Sequence, residues 1–137
     1  MTLRLGVLVS GRGTNLQALL DASETGRLDA RVVLVVANRA AIPALERAER
    51  SGVPTRTFLA GDQGGHEPAQ RAMAEALVAA RADLVALAGF DRVLDPAFFV
   101  ALGGIPVINV HPSLLPAHGG RGMLGARVHE AVLASGD

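Results

Sequence analysis

Asn109 and His111 stand two residues apart at the close of an apolar run, within Asn109-Val110-His111-Pro112-Ser113-Leu114-Leu115-Pro116. Residues two apart on a strand point the same way, so the pair would project together while Val110 faces the other side. An imidazole beside a fixed amide donor suits reactions in which a carbonyl oxygen gains charge while a proton moves. Pro112 and Pro116 would stiffen the chain beyond and stop the strand. A histidine hydrogen-bonded at a strand end for structure alone is the plain alternative. The neighbouring amide and the position at a strand end tip the balance toward chemistry.

A second segment, Ser10-Gly11-Arg12-Gly13-Thr14-Asn15, joins an apolar run to a helical pattern. Its glycines allow a tight turn and close backbone approach, and a helix start offers unpaired N–H groups to an anion. Thr14 and Asn15 add side-chain donors, so the segment reads as a phosphate cradle. It is not the dinucleotide fingerprint, because Leu16 stands where GxGxxG needs its third Gly. Glycine-rich turns also arise for purely steric reasons. A third segment, Ala88-Gly89-Phe90-Asp91-Arg92-Val93-Leu94, follows another apolar run and reads either as a pocket wall or as a simple strand-to-helix loop. His66, His118 and His129 fall in a loop, a Gly-rich loop and a helix, where solvation or packing explains them. No HExxH or clustered carboxylate pattern suggests a metal.

The elements that must position these segments are readable. Leu3–Val9, Val32–Ala37, Leu84–Ala88 and Pro106–Val110 are short and continuously apolar, as strands buried on both faces of a parallel sheet are. Thr55–Leu59 is more polar and suits an edge strand. Thr14 with Gln17 has the spacing of a capping box, opening a helix with Leu16, Leu19 and Leu20 inward. Pro43 and Gly52 bracket a second helix. Pro68 opens a long Ala-rich helix to about Arg81, and Asp95-Pro96 opens a short one. A last helix spans about Leu124–Ala134. Gly61–Gly65 and His118–Gly125 read as loops. No internal repeat or linker interrupts the order. Alternation of strand and helix predicts an α/β, Rossmann-like, doubly wound and mainly parallel sheet. Ligands of such sheets bind beyond the carboxyl ends of the strands, where all three segments lie.

Composition bounds the chemistry further. The chain has 137 residues, 50% hydrophobic and 3% aromatic, with 13 basic and 13 acidic side chains. Absence of Cys removes disulfides, thiolate metal sites and a cysteine nucleophile. Every basic residue is Arg, so a Walker lysine and a Schiff-base lysine are excluded. Zero net charge and few aromatics argue against a nucleic-acid partner. No apolar run reaches the roughly 18 residues of a membrane span, and Met1–Gly6 lacks signal-peptide form. A soluble cytoplasmic protein of one domain is expected.

The three segments, in this order, resemble the phosphoribosylglycinamide formyltransferase family, folate-dependent enzymes of purine synthesis. The matching residues are Val9-Ser10-Gly11-Arg12-Gly13-Thr14-Asn15-Leu16-Gln17-Ala18, Ala37-Asn38-Arg39, Leu87-Ala88-Gly89-Phe90 with Arg92 and Leu94, and Asn109–Pro116. The resemblance covers nearly the whole chain and implies the formyltransferase fold. It also implies one nucleotide- and folate-binding domain over residues 1–137, the N-terminal portion of the family's usual length. It further implies formyl transfer from 10-formyltetrahydrofolate to the amine of glycinamide ribonucleotide, without a metal. Gly13, Thr14 and Asn15 would hold substrate phosphate and ribose. Asp91, Arg92, Val93, Leu94 and Asn109 would contact folate, and Asn109 and His111 would be catalytic. A homodimer is a possible assembly.

The sequence departs from the family at three points. Asp91 stands where the family often has Met, placing an acid near the implied pterin site. A folate-binding arginine has no clear match, His66 being nearest. The family's catalytic Asp, in a loop after the helix ending here at Gly136-Asp137, has no equivalent. A non-catalytic phosphate-binding fragment is therefore the competing reading. Two sister enzymes using the same donor, methionyl-tRNA formyltransferase and formyltetrahydrofolate deformylase, share the Asn-x-His pair. The first should add basic surface and a further domain, the second an N-terminal regulatory domain.

Overall fold

Leu3–Val9 (β1) is apolar at every position except Arg4 and Gly6, and it needs cover on both faces and both edges. In a computed structural model, which describes residues 2–110, it receives all four. Ala30–Ala37 (β2) and Leu84–Leu87 (β4) pair with its two edges, both parallel. Thr55–Thr57 (β3) lies outside β2, and Val107–Asn109 (β5) outside β4, giving the order β3-β2-β1-β4-β5. The expected doubly wound parallel sheet is found; β3, β4 and β5 are trimmed by one or two residues, whereas β2 begins two residues before the expected Val32, at Ala30. Thr55–Thr57 is an edge strand, as its polarity predicts.

The crossovers are Thr14–Glu24 (α1), Pro43–Arg50 (α2), Ala60–Gln63 (α3), His66–Ala79 (α4) and Pro96–Leu102 (α5). Leu5, Val7 and Val9 face α1 and α2, and pack with Leu16, Leu19, Leu20, Ala44 and Ala48. Leu8 faces the other way, into a core built with Met73, Leu77, Phe98 and Leu102 of α4 and α5. Along β2 an extra residue shifts the register, so that Leu5 opposes Val32 but Gly6 opposes Leu34. This bulge lets Val32 share a core with Val35 and Ala37, which strict alternation from Val32 would forbid. Gly6 leaves room for α4: a Cβ there would overlap the Leu77 side chain.

Three expectations are corrected. Thr14 does not cap α1. The chain enters the helix through Gly13 in the left-handed region (φ 81°), so Thr14 is already helical and no side chain caps the end. The Gln17 amide instead donates to Asp21 (3.0 Å). Pro68 does not open α4 but sits at its third residue, still within the first turn, where a missing N–H breaks no helical bond. That helix stops at Ala79, short of Arg81, which is itself left-handed (φ 60°). Arg4 donates to the freed Ala80 and Arg81 carbonyls at 2.8 and 3.0 Å, pinning this turn to the start of β1. Finally, Gly61–Gly65 is not all loop, because α3 makes one turn closed by Asp62 and Gln63 N–H groups on the Leu59 carbonyl.

Leu77 is fully buried at the contact with Gly6. Leu77→Ala should destabilise the fold by about 2–5 kcal/mol, read from chemical denaturation, since the glycine opposite cannot fill the void. A loss under about 1 kcal/mol would contradict this account of the packing.

Candidate functional site

The strand order reverses between β1 and β4: the chain builds outward to β3 and then returns to the other side of β1. A crevice at the carboxyl ends of these two strands is where open α/β sheets take ligands. The loops after β1 and β4 both open there.

After β1, the first helical bond of α1 runs from the Gln17 N–H to the Gly13 carbonyl (2.8 Å). The N–H groups of Thr14, Asn15 and Leu16 therefore have no acceptor within the helix and face its N-terminal end. Helix α2 holds this turn from behind. The Ala44 N–H donates to the Gly11 carbonyl (3.1 Å), and Arg47 Nε donates to the Arg12 carbonyl (2.8 Å). A Cβ on residue 13 would come within 2.7 Å of Ala44 Cα, so Gly13 is required by crowding as well as by its φ. The Asn15 side-chain amide reaches across and donates to the Val110 carbonyl (3.0 Å). That bond ties the first loop to the end of β5.

At that strand end Asn109 is buried, 8% exposed, and opposite Leu87. Val110 packs with the α1 and α2 core, on the face opposite Val107. His111, Pro112–Pro116, His118, His129 and the helix expected at Leu124–Ala134 lie outside the described residues.

The loop after β4 turns at Gly89 (φ 75°), buries Phe90 and is anchored at two places. At its far end the buried Gln70 of α4 donates to the Val93 carbonyl (3.0 Å) and accepts the Asp95 N–H (2.7 Å). At its near end Asp91 joins three partners. Asn38 Nδ2 donates to Asp91 Oδ1 (2.9 Å), and Arg39 donates to Oδ2 through Nε (3.0 Å) and a terminal nitrogen. The Ser10 hydroxyl accepts the Asp91 N–H (2.9 Å) and lies 3.0 Å from Oδ1 and 2.8 Å from Asn38 Oδ1. Burial raises the Asp91 pKa. The hydrogen bonds from Asn38, Arg39 and Ser10, with the Arg39 charge, outweigh that and hold the carboxyl below its ordinary 3.8. Arg92 and His66 line a small recess beside this cluster, with Asn38, Gln70 and Phe90. Val93 is 71% exposed, while Leu94 packs on the α4–α5 core.

The segments singled out in the sequence thus meet at one sheet edge, as far as the described residues extend. Sequence reasoning missed Arg47 and Gln70. Gln70 carried a signal, being a polar residue on the inward stripe with Ala69, Met73 and Leu77; Arg47 carried none. Asn38 and Arg39 were visible as matching residues but without a role.

Comparison with known proteins identifies the family and the fold. A family model described as formyl transferase matches residues 3–137. The chain is 38% identical over 131 residues to the phosphoribosylglycinamide formyltransferase of Escherichia coli, covering 96% of this chain and 59% of that protein. It is 38% identical over 133 residues to the bovine trifunctional purine biosynthetic protein adenosine-3, covering 97% of this chain and 13% of that one. Glycinamide ribonucleotide transformylase 1 of Symbiobacterium toebii superposes with a TM-score of 0.75 at 38% identity, covering 99% of this chain and 61% of that chain. The corresponding enzyme of Geobacillus kaustophilus gives 0.74 at 37%, covering 96% and 69%. The chain therefore spans about three-fifths of the length of its single-function relative in Escherichia coli.

Two outcomes are expected from this geometry. Gly13→Ala should lower stability by at least about 1 kcal/mol in thermal or chemical melts, because it meets both a left-handed φ and the α2 backbone. An unchanged melt would show that α2 can retreat. The Asp91 cluster should be acid-sensitive in a defined direction. Its folded pKa lies below the unfolded one, so the unfolded chain binds more protons and stability rises with pH through this window. The contribution is present above about pH 4 and lost below it. The difference in melting temperature between the native protein and Asp91→Asn should accordingly shrink from pH 6 to pH 3. It will be small, since a pair this exposed contributes about 1 kcal/mol at most.

Proposed function

Because this chain belongs to the formyl transferase family, we propose that it transfers a formyl group from 10-formyltetrahydrofolate to the amine of glycinamide ribonucleotide in purine synthesis. Residues 1–137 would act as one nucleotide- and folate-binding domain. The observation that carries this reading is the Asn15–Val110 hydrogen bond, 3.0 Å. It holds the start of α1, where a phosphate would sit, beside the Val110 backbone next to Asn109.

In this reading the substrate phosphate lies at the turn Gly13–Asn15, against the free N–H groups of α1. The amine then meets the formyl carbon over the end of β5. Attack forms a new C–N bond and puts negative charge on the formyl oxygen. The Asn109 amide N–H and the His111 imidazole stabilise that charge. A proton leaves the attacking nitrogen, the bond from carbon to the folate nitrogen breaks, and that nitrogen takes up a proton, with His111 taking part in the transfer. Asp91, Arg92, Val93 and Leu94 flank the donor, chiefly through backbone groups. The implied partners are small molecules, in a cytoplasmic setting; among the described residues no helix is long and apolar enough to cross a membrane.

The test is formyl transfer by the full chain with both substrates. His111→Ala should cut kcat/KM by roughly 10²–10⁴, and Asn109→Leu by about 10²–10³. Undiminished turnover in His111→Ala would remove the catalytic assignment.

A further inference from the structure

We propose that Arg39 and Asp91 form a latch that holds the loop Gly89–Asp95 in shape, and that the Asp91 carboxylate positions this loop rather than contacting the ligand. The proposal rests on the reading of that loop as the folate-donor site and deepens it.

An ionised carboxylate offers about four lone-pair directions. At Asp91 three accept N–H groups, one from Asn38 Nδ2 on Oδ1 and two from Arg39 on Oδ2, and the Ser10 hydroxyl, whose one proton is shared between Asp91 Oδ1 and Asn38 Oδ1, faces the fourth. A ligand donor, such as the amino and ring N–H edge of a pterin, would have to displace one of these partners. The placement of the partners points the same way. Ser10 ends at the exit of β1, Asn38 and Arg39 leave β2, and Asp91 follows β4. Their hydrogen bonds span the carboxyl edges of three adjacent strands. The Asp91 N–H on Ser10 adds a backbone tie.

Energy argues for positioning as well. Arg39 and Asp91 are 61% and 37% exposed, so their bridge adds little to global stability. What it restrains is local. Between the Phe90 side chain in the core and the Gln70 clamp at Val93 and Asp95, Asp91 holds the loop's rising limb. A loop held at both ends presents its backbone groups to a ligand in one arrangement, which lowers the ordering cost of binding. Without the Arg39 bridge, the limb would retain the lighter ties to Asn38 and Ser10.

The experiment compares Arg39→Met, Asp91→Asn and the double variant in the full chain, by two readouts. The first is steady-state formyl transfer. Each single variant should raise KM for 10-formyltetrahydrofolate by about fivefold, with far smaller effects on kcat and on KM for the amine substrate. The double variant should be no worse than the more impaired single one, because the Arg39–Asp91 bridge is already lost in each. Arg39→Lys, which keeps the charge, should recover part of the loss. The second readout is amide hydrogen exchange without substrates. Residues 90–94 should exchange about tenfold faster in both single variants, while β1 and β4 stay protected. If Asp91→Asn raises the donor KM and Arg39→Met does not, the carboxylate touches the ligand and the proposal fails. Unchanged exchange at 90–94 in both variants also overturns it. Should the native chain transfer no formyl group, the functional reading falls, and the exchange data alone decide the latch.

Discussion

The structure depends on one demand: β1 must be enclosed on every side. Val7, Leu8 and Val9 expose no surface, so both faces need helices and both edges need strands. A parallel arrangement meets this by crossover connections, which return the chain to the same end of the sheet each time. The enclosure fixes where the polar loops emerge. Every strand that covers β1 releases its chain at the same carboxyl edge, and the side chains with chemistry collect there as a consequence.

At that edge, backbone geometry and side-chain ties divide the labour. Helix α2 crowds the turn after β1 so closely that residue 13 can carry no side chain. The loop after β4 buries Phe90 and is otherwise held by polar groups: Gln70 at one end, Asp91 with Arg39, Asn38 and Ser10 at the other. Asn15 joins the first loop to the end of β5. The N-terminal end of α1, a tethered loop and the Asn109 strand end are thereby brought to one edge of the sheet.

The strands were legible because burial on both faces leaves a simple mark, an unbroken apolar run such as Val32–Ala37. The polar edge strand at Thr55 was legible for the converse reason. Helix starts were less so. Thr14 and Gln17 have the spacing of a cap, yet a left-handed Gly13 moves the helix start by one residue, and spacing cannot register a dihedral angle. At the site, Asp91 looked like an acid aimed at a ligand. Its partner Arg39 lies 52 residues away, and only the three-dimensional register of β2 against β1 and β4 shows that the carboxylate is already engaged. Arg47 was invisible for a similar reason: its role is to support a backbone carbonyl 35 residues earlier, and no residue pattern reports that.

The pairing of β1 with both neighbours also has a consequence in time. Its first partner, β2, follows soon after in the chain, but Leu5 meets Leu84 on the other edge. At roughly 5–20 residues per second, the ribosome takes several seconds to make the intervening chain. Throughout that interval the side of β1 that β4 will cover is a bare, apolar strand edge, the kind that pairs with foreign strands. That edge closes only when β4 arrives, with the Arg4 N–H on the Asp83 carboxylate beside it. Conditions that slow translation through this stretch would lengthen the exposure, and a chaperone that shields strand edges would matter most there.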